Sequence, residues 1–464
     1  MKVAPRLPAG ERVVIHVDSP AGRWICALAV FSGFCWLIVL LAHDPHHADW
    51  DPASRWTWSL TILTAVGFIS RGIFLGRPVT AAHAGMASAM VLAGLAAHML
   101  FFDELGNLLI VGAAIALMWP TTVRPDPRDL PHVWALVDAT TGDPLAPFAM
   151  QMTKCHHFNA AGTAAIAYRT RLGYAVVSGD PIGDERCFAD LVADFAALCH
   201  QRGWRIVILG CSERRLSLWT DPAAVGQTLR PVPIGRDVAI DVGTFDLAGR
   251  RYRNVRQAVQ RTRNSGITTE IVAEQELPAP LRGELVEVLE ASHSGSRTER
   301  GFSMILDGAL LGRYPGIELA VARDNAGRVQ GFHRYATAGH GTEITLDVPW
   351  RRRGAPNGID ERLSVEMILA ARERGGQRVS LAFAAFPELF DEKNRSRVQT
   401  LLYTAIHLGD SLIALESLYR YLRKFHAVGA RRYVLLTLNQ VIPLLFILLS
   451  LEFMPRRRQS VGAP

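Results

Sequence analysis

Four apolar segments fill the first 120 residues, and a basic region of more than 300 residues follows them. The segments are 24–42, 56–75, 79–102 and 105–120. The first has 19 residues without a charge, which is long enough to cross the hydrocarbon core of a bilayer. Because four such segments follow one another, a helical hairpin buried in a soluble core is the weaker alternative. The sequence therefore predicts a four-helix transmembrane domain over 1–120, attached to a water-soluble part.

The cations that flank these segments predict an orientation. Cytoplasmic loops of membrane proteins are enriched in Lys and Arg. Cations lie before the first segment, after the second and after the fourth, at Lys2, Arg6, Arg12, Arg23, Arg71, Arg77, Arg124 and Arg128. We therefore expect the N-terminus and residues 121–430 to face the cytoplasm. Residues 437–464 form an apolar segment with a basic tail, which we expect to lie on or enter the membrane.

The excess positive charge lies in the soluble part. The chain has 50 Lys and Arg against 43 Asp and Glu, and residues 1–120 contain seven of each kind. A basic surface suits a nucleic acid or an anionic bilayer surface, and the two are equally favoured. The six cysteines form no Cys-x-x-Cys pair, and His156 and His157 lack a third ligand at a set spacing. No metal site and no disulfide framework are predicted.

The soluble part shows one pattern twice. Two strands, a turn at Gly179–Gly183, a helix and a strand occupy 164–209, and similar strands, a turn at 356–358, a helix and a strand occupy 317–383. We predict an α+β protein with two similar α/β lobes, 121–250 and 251–436. A very basic helix, 251–263, begins the second lobe.

The motifs that are missing exclude several kinds of chemistry. The sequence has no Walker A loop, no Gly-x-Ser-x-Gly elbow, no His-Glu-x-x-His and no Gly-x-Gly-x-x-Gly. Nucleotide hydrolysis, serine esterase, zinc protease and dinucleotide functions are therefore unsupported, and no cofactor is predicted. Each Gly turn offers backbone N–H groups to an anion, although a plain helix cap is favoured at either turn alone.

Short motifs in order along the soluble part carry a resemblance to one family. They are PLAPF at 144–148, AYR at 167–169, GDPIG at 179–183, GFSM at 301–304, LD at 346–347, PNGIDE at 356–361, LYR at 418–420, KF at 424–425 and RY at 432–433. Over about 143–436 the chain resembles the MprF-like aminoacyl-phosphatidylglycerol synthases, or phosphatidylglycerol lysyltransferases. The resemblance implies tandem acetyltransferase-like (GNAT) lobes. It also implies transfer of an aminoacyl group from aminoacyl-tRNA to a lipid hydroxyl.

The resemblance suggests roles for particular residues. Asp347 is expected to orient or deprotonate the acceptor hydroxyl, or else to cap the end of a strand. Glu361 is expected to bind the amino group of the aminoacyl moiety, or else to interact with a helix dipole. Asp347 and Glu361 are expected to face one cleft. The predicted substrate-binding residues are Arg256, Arg261, Arg351, Arg352, Asn357, Lys424 and Arg432, with a loop formed by Gly179, Asp180 and Gly183.

The sequence thus predicts a membrane-bound aminoacyltransferase that acts at the cytoplasmic membrane face. Its partners would be aminoacyl-tRNA as donor, a membrane lipid as acceptor, and an anionic bilayer surface. Two alternatives remain open at this point. One is an acyltransferase of the same fold that uses acyl-CoA, and the other is a non-catalytic membrane binding protein.

Overall fold

The computed structural model describes residues 13–15, 19–43, 52–292, 298–299, 305–385 and 420–437, with a few more between 444 and 457. Its contacts divide the chain into two compact units. The N-terminal unit comprises 1–123, 170–175 and 194–206, and the second unit comprises 124–169, 176–193 and 207–464. The motif at 301–304 and the first two residues of the motif at 418–420 lie outside the described residues, as does most of 437–464.

The N-terminal unit is helical at all four predicted segments. It contains β1 (Val13–Ile15), α1 (Pro20–His43), α2 (Pro52–Phe74), β2 (Val79–Thr80), α3 (Ala81–Met99) and α4 (Asp103–Leu117). Two stretches, Trp56–Phe74 and Ala81–Met99, are long and apolar enough to cross a membrane. The 15 residues of α4 extend only about 22 Å, against about 30 Å of hydrocarbon. Among the described residues two candidate spans are found, and the predicted four-helix transmembrane domain stays a prediction.

The second unit contains the remaining elements. They are α5 (Leu130–Ala139), β3 (Cys155–Phe158), β4 (Ala164–Arg171), β5 (Tyr174–Ser178), β6 (Ile182–Gly183), α6 (Phe188–Gln201), β7 (Arg205–Ser212), α7 (Leu216–Thr220), α8 (Pro222–Val225), β8 (Arg230–Asp241), α9 (Arg253–Asn264), β9 (Thr268–Ala273), α10 (Ala279–Ser292), β10 (Thr298–Glu299), β11 (Ile317–Arg323), β12 (Val329–Ala338), β13 (Glu343–Arg351), α11 (Ile359–Glu373), β14 (Arg378–Ala385), β15 (Val428–Leu436) and β16 (Arg456–Arg457). The ends of β4, β5, α6 and β7 that lie in 170–175 and 194–206 belong to the N-terminal unit.

Twelve of the described strands form one sheet, while β1 pairs with β2 and β10 pairs with β16. The order of the twelve-stranded sheet is β3-β4-β5-β7-β15-β8-β14-β13-β12-β11-β9, with β6 beside β4. The predicted order of hairpin, helix and strand is present twice, as β4-β5-α6-β7 and β12-β13-α11-β14. The sheet is continuous because β8 pairs antiparallel with β14, and the late strand β15 inserts between β7 and β8.

The neighbouring strands β13 and β14 are parallel and pair only at their beginnings. Pairing covers Glu343–Thr345 against 378–380. Beyond these residues β13 continues toward the turn that opens α11. Helix α11 buries Ile359, Leu363 and Met367 in one core with β8, β13 and β14. Ligands of open α/β sheets bind beside the carboxyl ends of strands, so a ligand site is expected at the end of β13.

Candidate functional site

Strand β12 sends alternate side chains to the two faces of the sheet. His333 and Tyr335 contact α11, through Asp360 and Ser364 respectively. Arg334 points to the opposite face, the one on which α10 packs. Two separate polar clusters result, one on each face.

The first polar cluster surrounds the first turn of α11, and we call it the α11 cluster. Its members are His333, Tyr335, Arg351, Asp360, Glu361, Ser364, Tyr421 and Lys424. They come from β12, the end of β13, α11 and the segment before β15. Three of them, Arg351, Glu361 and Lys424, were predicted from the sequence.

A buried hydrogen-bonded row forms the back of the α11 cluster. The His333 ring lies 3.2 Å from Asp360 Oδ1 through Nε2 and 3.1 Å from the Tyr335 hydroxyl through Nδ1. The Tyr335 hydroxyl lies 3.4 Å from Ser364 Oγ, which in turn bonds the Tyr421 hydroxyl. Because His333 is fully buried, it holds Asp360 in place and does not itself reach solvent.

Charged groups form the accessible side of the cluster. Lys424 pairs with Glu361, and the Lys424 side chain is 40% exposed while that of Glu361 is 8% exposed. Arg351 Nη1 lies 3.5 Å from Asp360 Oδ2. Burial alone would raise the pKa of Asp360, but the His333 hydrogen bond and the charges of His333, Arg351 and Lys424 outweigh burial and lower it. The cluster therefore presents an ionised carboxylate beside two partly exposed cations.

The turn before α11 requires its glycine. Gly358 has φ +106°, and a Cβ there would lie 2.8 Å from the carbonyl oxygen of Ala258 in α9. Glycine lets α11 begin against α9, and the acidic residues Asp360 and Glu361 then fall in its first turn, where the helix dipole favours them. Asn357 is exposed at the same turn.

The second polar cluster lies on the other face and contains Asp347. Arg334 lies on the same face of the sheet as Phe332. Its guanidinium contacts Glu274 and lies 2.8 Å from Asp347 Oδ2. Asp347 Oδ1 accepts a hydrogen bond from the Leu306 N–H at 2.9 Å. All three charged side chains are fully buried. Burial raises the pKa of Asp347 to about 6, although Arg334 opposes this.

The expectation that Asp347 and Glu361 face one cleft is therefore corrected. Asp347 does not end its strand. It is the extra residue of a β-bulge, because Arg334 pairs with Val348 while the next residue, Tyr335, pairs with Leu346. The bulge turns the Asp347 carboxylate to the face opposite α11, where it holds Arg334.

Arg432 also differs from its predicted role, because it is buried at the centre of three carboxylates. It donates hydrogen bonds to Asp143 at 2.7 Å and to Asp237 at 2.9 Å, and Asp180 Oδ2 lies 3.7 Å away. Burial would lower the pKa of Arg432, but these carboxylates raise it. Burial raises the pKa of Asp237 to about 6. A side chain that is 1% exposed and fully paired holds strands together and does not meet a substrate.

The predicted loop at Gly179, Asp180 and Gly183 is likewise occupied by the protein itself. The Gly179 N–H donates to the Leu209 carbonyl, and the Gly183 N–H donates to Thr140 Oγ1, both at 2.9 Å. Asp180 Oδ1 accepts from the Ser212 N–H. These amides are not offered to an anion, and the Asp180 carboxylate would repel one.

The remaining predicted cations are exposed to different degrees. Arg256 and Arg261 lie on the outer face of α9, whose inner face is apolar. Arg256 also donates to the Gly249 carbonyl at 3.0 Å. Arg352 is tied to Glu287 at 2.9 Å and to the Val329 carbonyl at 2.8 Å, so its contacts are structural.

Sequence reasoning missed Asp360, His333 and Tyr421. Asp360 stands beside Glu361 in the same motif, and this pair of adjacent carboxylates is a local signal for it. His333 and Tyr421 have no local signal, because only the pairing of β12 with β13 brings His333 beside α11. Among the described residues, no group of three or more His, Cys, Asp or Glu side chains is arranged to hold a metal ion.

Comparison with known proteins identifies the family. Residues 134–436 match the family described as phosphatidylglycerol lysyltransferase, C-terminal, and this range contains the whole α11 cluster. The chain belongs to the phosphatidylglycerol lysyltransferase C-terminal family. The resemblance inferred from the short motifs is thereby confirmed.

Individual members of this family differ in how much of their length the chain matches. The MprF-like domain protein Rv1619 of Mycobacterium tuberculosis is 66% identical over 456 residues, which are 98% of this chain and 94% of that protein. The lysylphosphatidylglycerol biosynthesis bifunctional protein LysX of Rhodococcus jostii (strain RHA1) is 35% identical over 54% of this chain, but over only 22% of its own length. The structure of L-PGS from Bacillus licheniformis superimposes with a TM-score of 0.59 at 21% identity, covering 71% of this chain and 97% of that one, and shows the common fold.

Proposed function

We propose that this protein transfers an aminoacyl group from aminoacyl-tRNA to a hydroxyl group of phosphatidylglycerol at the cytoplasmic face of a membrane. The observation that carries the proposal is the family match over 134–436, within which ionised Asp360 and partly exposed Lys424 stand side by side. The names of the relatives point to the lipid product. The tRNA donor is what the resemblance to the aminoacyl-phosphatidylglycerol synthases implies, and the basic surface and the lack of any nucleotide-hydrolysing motif in the sequence agree with it.

The reaction needs no outside energy source or reagent. The hydroxyl oxygen of the lipid attacks the carbonyl carbon of the aminoacyl ester, and a new ester bond forms. The bond from that carbon to the ribose oxygen of tRNA breaks, and the proton of the lipid hydroxyl ends on the ribose oxygen. The donor ester is already activated, so the protein must orient two substrates and stabilise a developing oxyanion.

The α11 cluster provides the groups for these tasks. The ionised Asp360 carboxylate binds the ammonium group of the aminoacyl moiety, a role that the sequence had suggested for Glu361. The Lys424 ammonium donates to the developing oxyanion. Glu361 is a positioning residue, because it is buried and acts by holding Lys424. Arg351, with its side chain 49% exposed, is available to a phosphate of either substrate.

The exposed face of α9 is the proposed contact for tRNA. Arg253, Arg256, Arg261 and Arg263 are all exposed there. Phosphate contacts of this kind supply most of the affinity of proteins for nucleic acids. The same face would also suit an anionic bilayer surface, which is the competing assignment for these arginines.

We also propose that the two repeats act as tandem acetyltransferase-like lobes, 121–250 and 251–436, with residues 1–120 embedded in the membrane and the lobes in the cytoplasm. The repeated order of hairpin, helix and strand supports this. The return of β15 to a place between β7 and β8 ties the end of the second lobe into the strands of the first.

The proposal is tested by three substitutions in the full-length protein. Lys424→Met and Asp360→Asn should each lower the formation of aminoacylated phosphatidylglycerol by roughly 10²–10³-fold, the usual cost of losing one preorganised oxyanion donor or one orienting charge. Glu373→Gln removes a carboxylate from the exposed end of the same helix and should leave product unchanged. Product is measured by mass spectrometry of lipid extracts, normalised to protein abundance in membranes.

The outcomes separate the proposed roles from other uses of the family fold. If Lys424→Met and Asp360→Asn accumulate normally and make as much product as Glu373→Gln, the α11 cluster is not the reaction centre. If no aminoacylated lipid depends on the wild-type protein, the transferase function itself is wrong.

A further inference from the structure

The N-terminal unit contains a cavity that the proposed reaction does not use. Its volume is about 230 Å³. The lining residues come from the ends of α2 and α4, the loop after each of these helices, and the tip of the β4–β5 hairpin. They are Phe68, Arg71, Arg77, Ile115, Met118, Trp119, Pro120 and Leu172.

The described lining of this cavity carries positive charge and no negative charge. Two of the eight lining residues are arginines and none is acidic. Arg71 occupies the last turn of α2 with an exposed side chain, and Arg77 Nη1 donates to the Met118 carbonyl at 2.9 Å. Burial and the nearby charges of Arg71 and Arg205 lower the pKa of Arg77. A partly buried arginine beside a second cation, with no acid in the cavity lining, is unfavourable unless an anion occupies the site.

The residues around the cavity include types that are common at a membrane–water interface. Trp119 is 51% exposed directly after α4, and Trp24 packs its ring against Phe74 at the start of α1, with ring centroids 4.6 Å apart. Tryptophan and cationic residues are enriched at this level of membrane proteins. The candidate span Trp56–Phe74 ends at the same place.

Leu172 supplies a second, independent observation. It is 46% exposed and has φ +49°, in the left-handed region that disfavours a branched, apolar residue. A hairpin tip in water would favour Asn or Gly at this position. An apolar side chain at an exposed, unfavourable turn, on the edge of a cationic cavity, is suited to contact with lipid.

We propose that this cavity binds one anionic phospholipid, with the head-group phosphate on Arg71 and Arg77 and the acyl chains along Phe68, Ile115 and Leu172. The proposal rests on the membrane location proposed above, but not on the transfer reaction. Clefts that enclose a whole drug-sized ligand measure roughly 300–1,000 Å³. A cavity of about 230 Å³ therefore accepts a phosphate and its glycerol, while the acyl chains remain in the bilayer.

The test measures lipid binding by the purified full-length protein in a neutral detergent, without any tRNA. Dioleoyl phosphatidylglycerol is titrated and its occupancy is read by native mass spectrometry. We expect one tightly held lipid per protein, and roughly tenfold weaker binding by Arg71→Gln, as for the loss of one charge-assisted hydrogen bond. Leu172→Ser should also weaken binding. Arg328→Gln removes the same charge from an exposed hairpin of the second unit and should bind as the wild type does.

Each further result decides for or against the site. If the Arg71→Gln variant binds the lipid as tightly as the Arg328→Gln variant does, the proposal is wrong. It is also wrong if water-soluble glycerophosphoglycerol competes for the site as well as the whole lipid does. Arg77→Lys keeps the charge and a donor toward Met118, so weak binding by Arg71→Gln together with retained binding by Arg77→Lys supports the site. The titration contains no tRNA and measures no transfer, so a failure of the proposed transfer reaction leaves this test valid.

Discussion

Replacement of Arg432 by Met should strongly destabilise the second unit. The guanidinium is paired with Asp143 and Asp237 and lies near Asp180, and it links β15 to β7 and β8. Met fills a similar volume, so packing is largely kept while three buried carboxylates lose their only cation within this cluster. Breaking a buried ion pair by removing one partner costs about 3–5 kcal/mol. Domains are stable by only about 5–15 kcal/mol, so this is a large part of the total.

The assay is thermal unfolding of purified protein, followed by tryptophan fluorescence, with membrane abundance as a second readout. The midpoint of Arg432→Met should fall by roughly 10 °C for a domain of this size. Arg431→Met changes the adjacent, exposed arginine and should shift stability by no more than about 0.5 kcal/mol. Adding Asp237→Asn to Arg432→Met should recover part of the loss, because it removes one of the unpaired charges.

The opposite result would refute the structural role of Arg432. If Arg432→Met unfolds within about 1 kcal/mol of Arg431→Met but loses lipid product, then Arg432 binds a substrate, as the sequence motif had suggested. Normal stability with normal product would show that the three carboxylates are protonated or hydrated without it.

Three further predictions test other parts of the structure. Asp347 has a folded-state pKa of about 6, against about 3.9 when unfolded, so the folded protein binds more protons than the unfolded chain between pH 4 and pH 6. This residue should therefore reduce the free energy of unfolding by about 3 kcal/mol as the pH rises from 4 to 6. In urea titrations at pH 4 and pH 6, Asp347→Asn should lack this decrease. Gly358→Ala should destabilise by about 1–3 kcal/mol more than Gly327→Ala, since both have positive φ but only Gly358 meets a backbone oxygen. Arg256→Glu combined with Arg261→Glu should weaken filter binding of tRNA and flatten its dependence on salt, and unchanged binding would assign this face to the membrane.

Much of the fold was predictable from the sequence because its signals are local. Apolar periodicity and glycine turns located α6, α11 and the flanking strands to within a few residues. Glu361 and Lys424 were found because they stand in motifs that resemble a family. The four membrane spans stay a prediction, because among the described residues Trp56–Phe74 and Ala81–Met99 are the stretches found long and apolar enough to cross a membrane.

The roles of Asp347 and Arg432 were not predictable, because they depend on contacts between distant parts of the chain. A one-residue bulge decides which face receives Asp347, and no local pattern marks a bulge. Arg432 is buried because β15 enters between two strands that precede it by about 200 residues, and its partners come from three separate segments. A motif identified both residues as noteworthy, but only the tertiary structure separates a structural ion pair from a substrate contact.

The most direct test of the proposed function uses the purified full-length protein in phosphatidylglycerol liposomes with a pool of tRNA charged with radiolabelled amino acids. Labelled lipid should form with wild-type protein, disappear when the tRNA is digested with ribonuclease beforehand, and fall by roughly 10²–10³-fold with Lys424→Met. Formation of the same lipid after ribonuclease treatment, or labelling of lipid from acyl-CoA in place of charged tRNA, would contradict the proposed reaction.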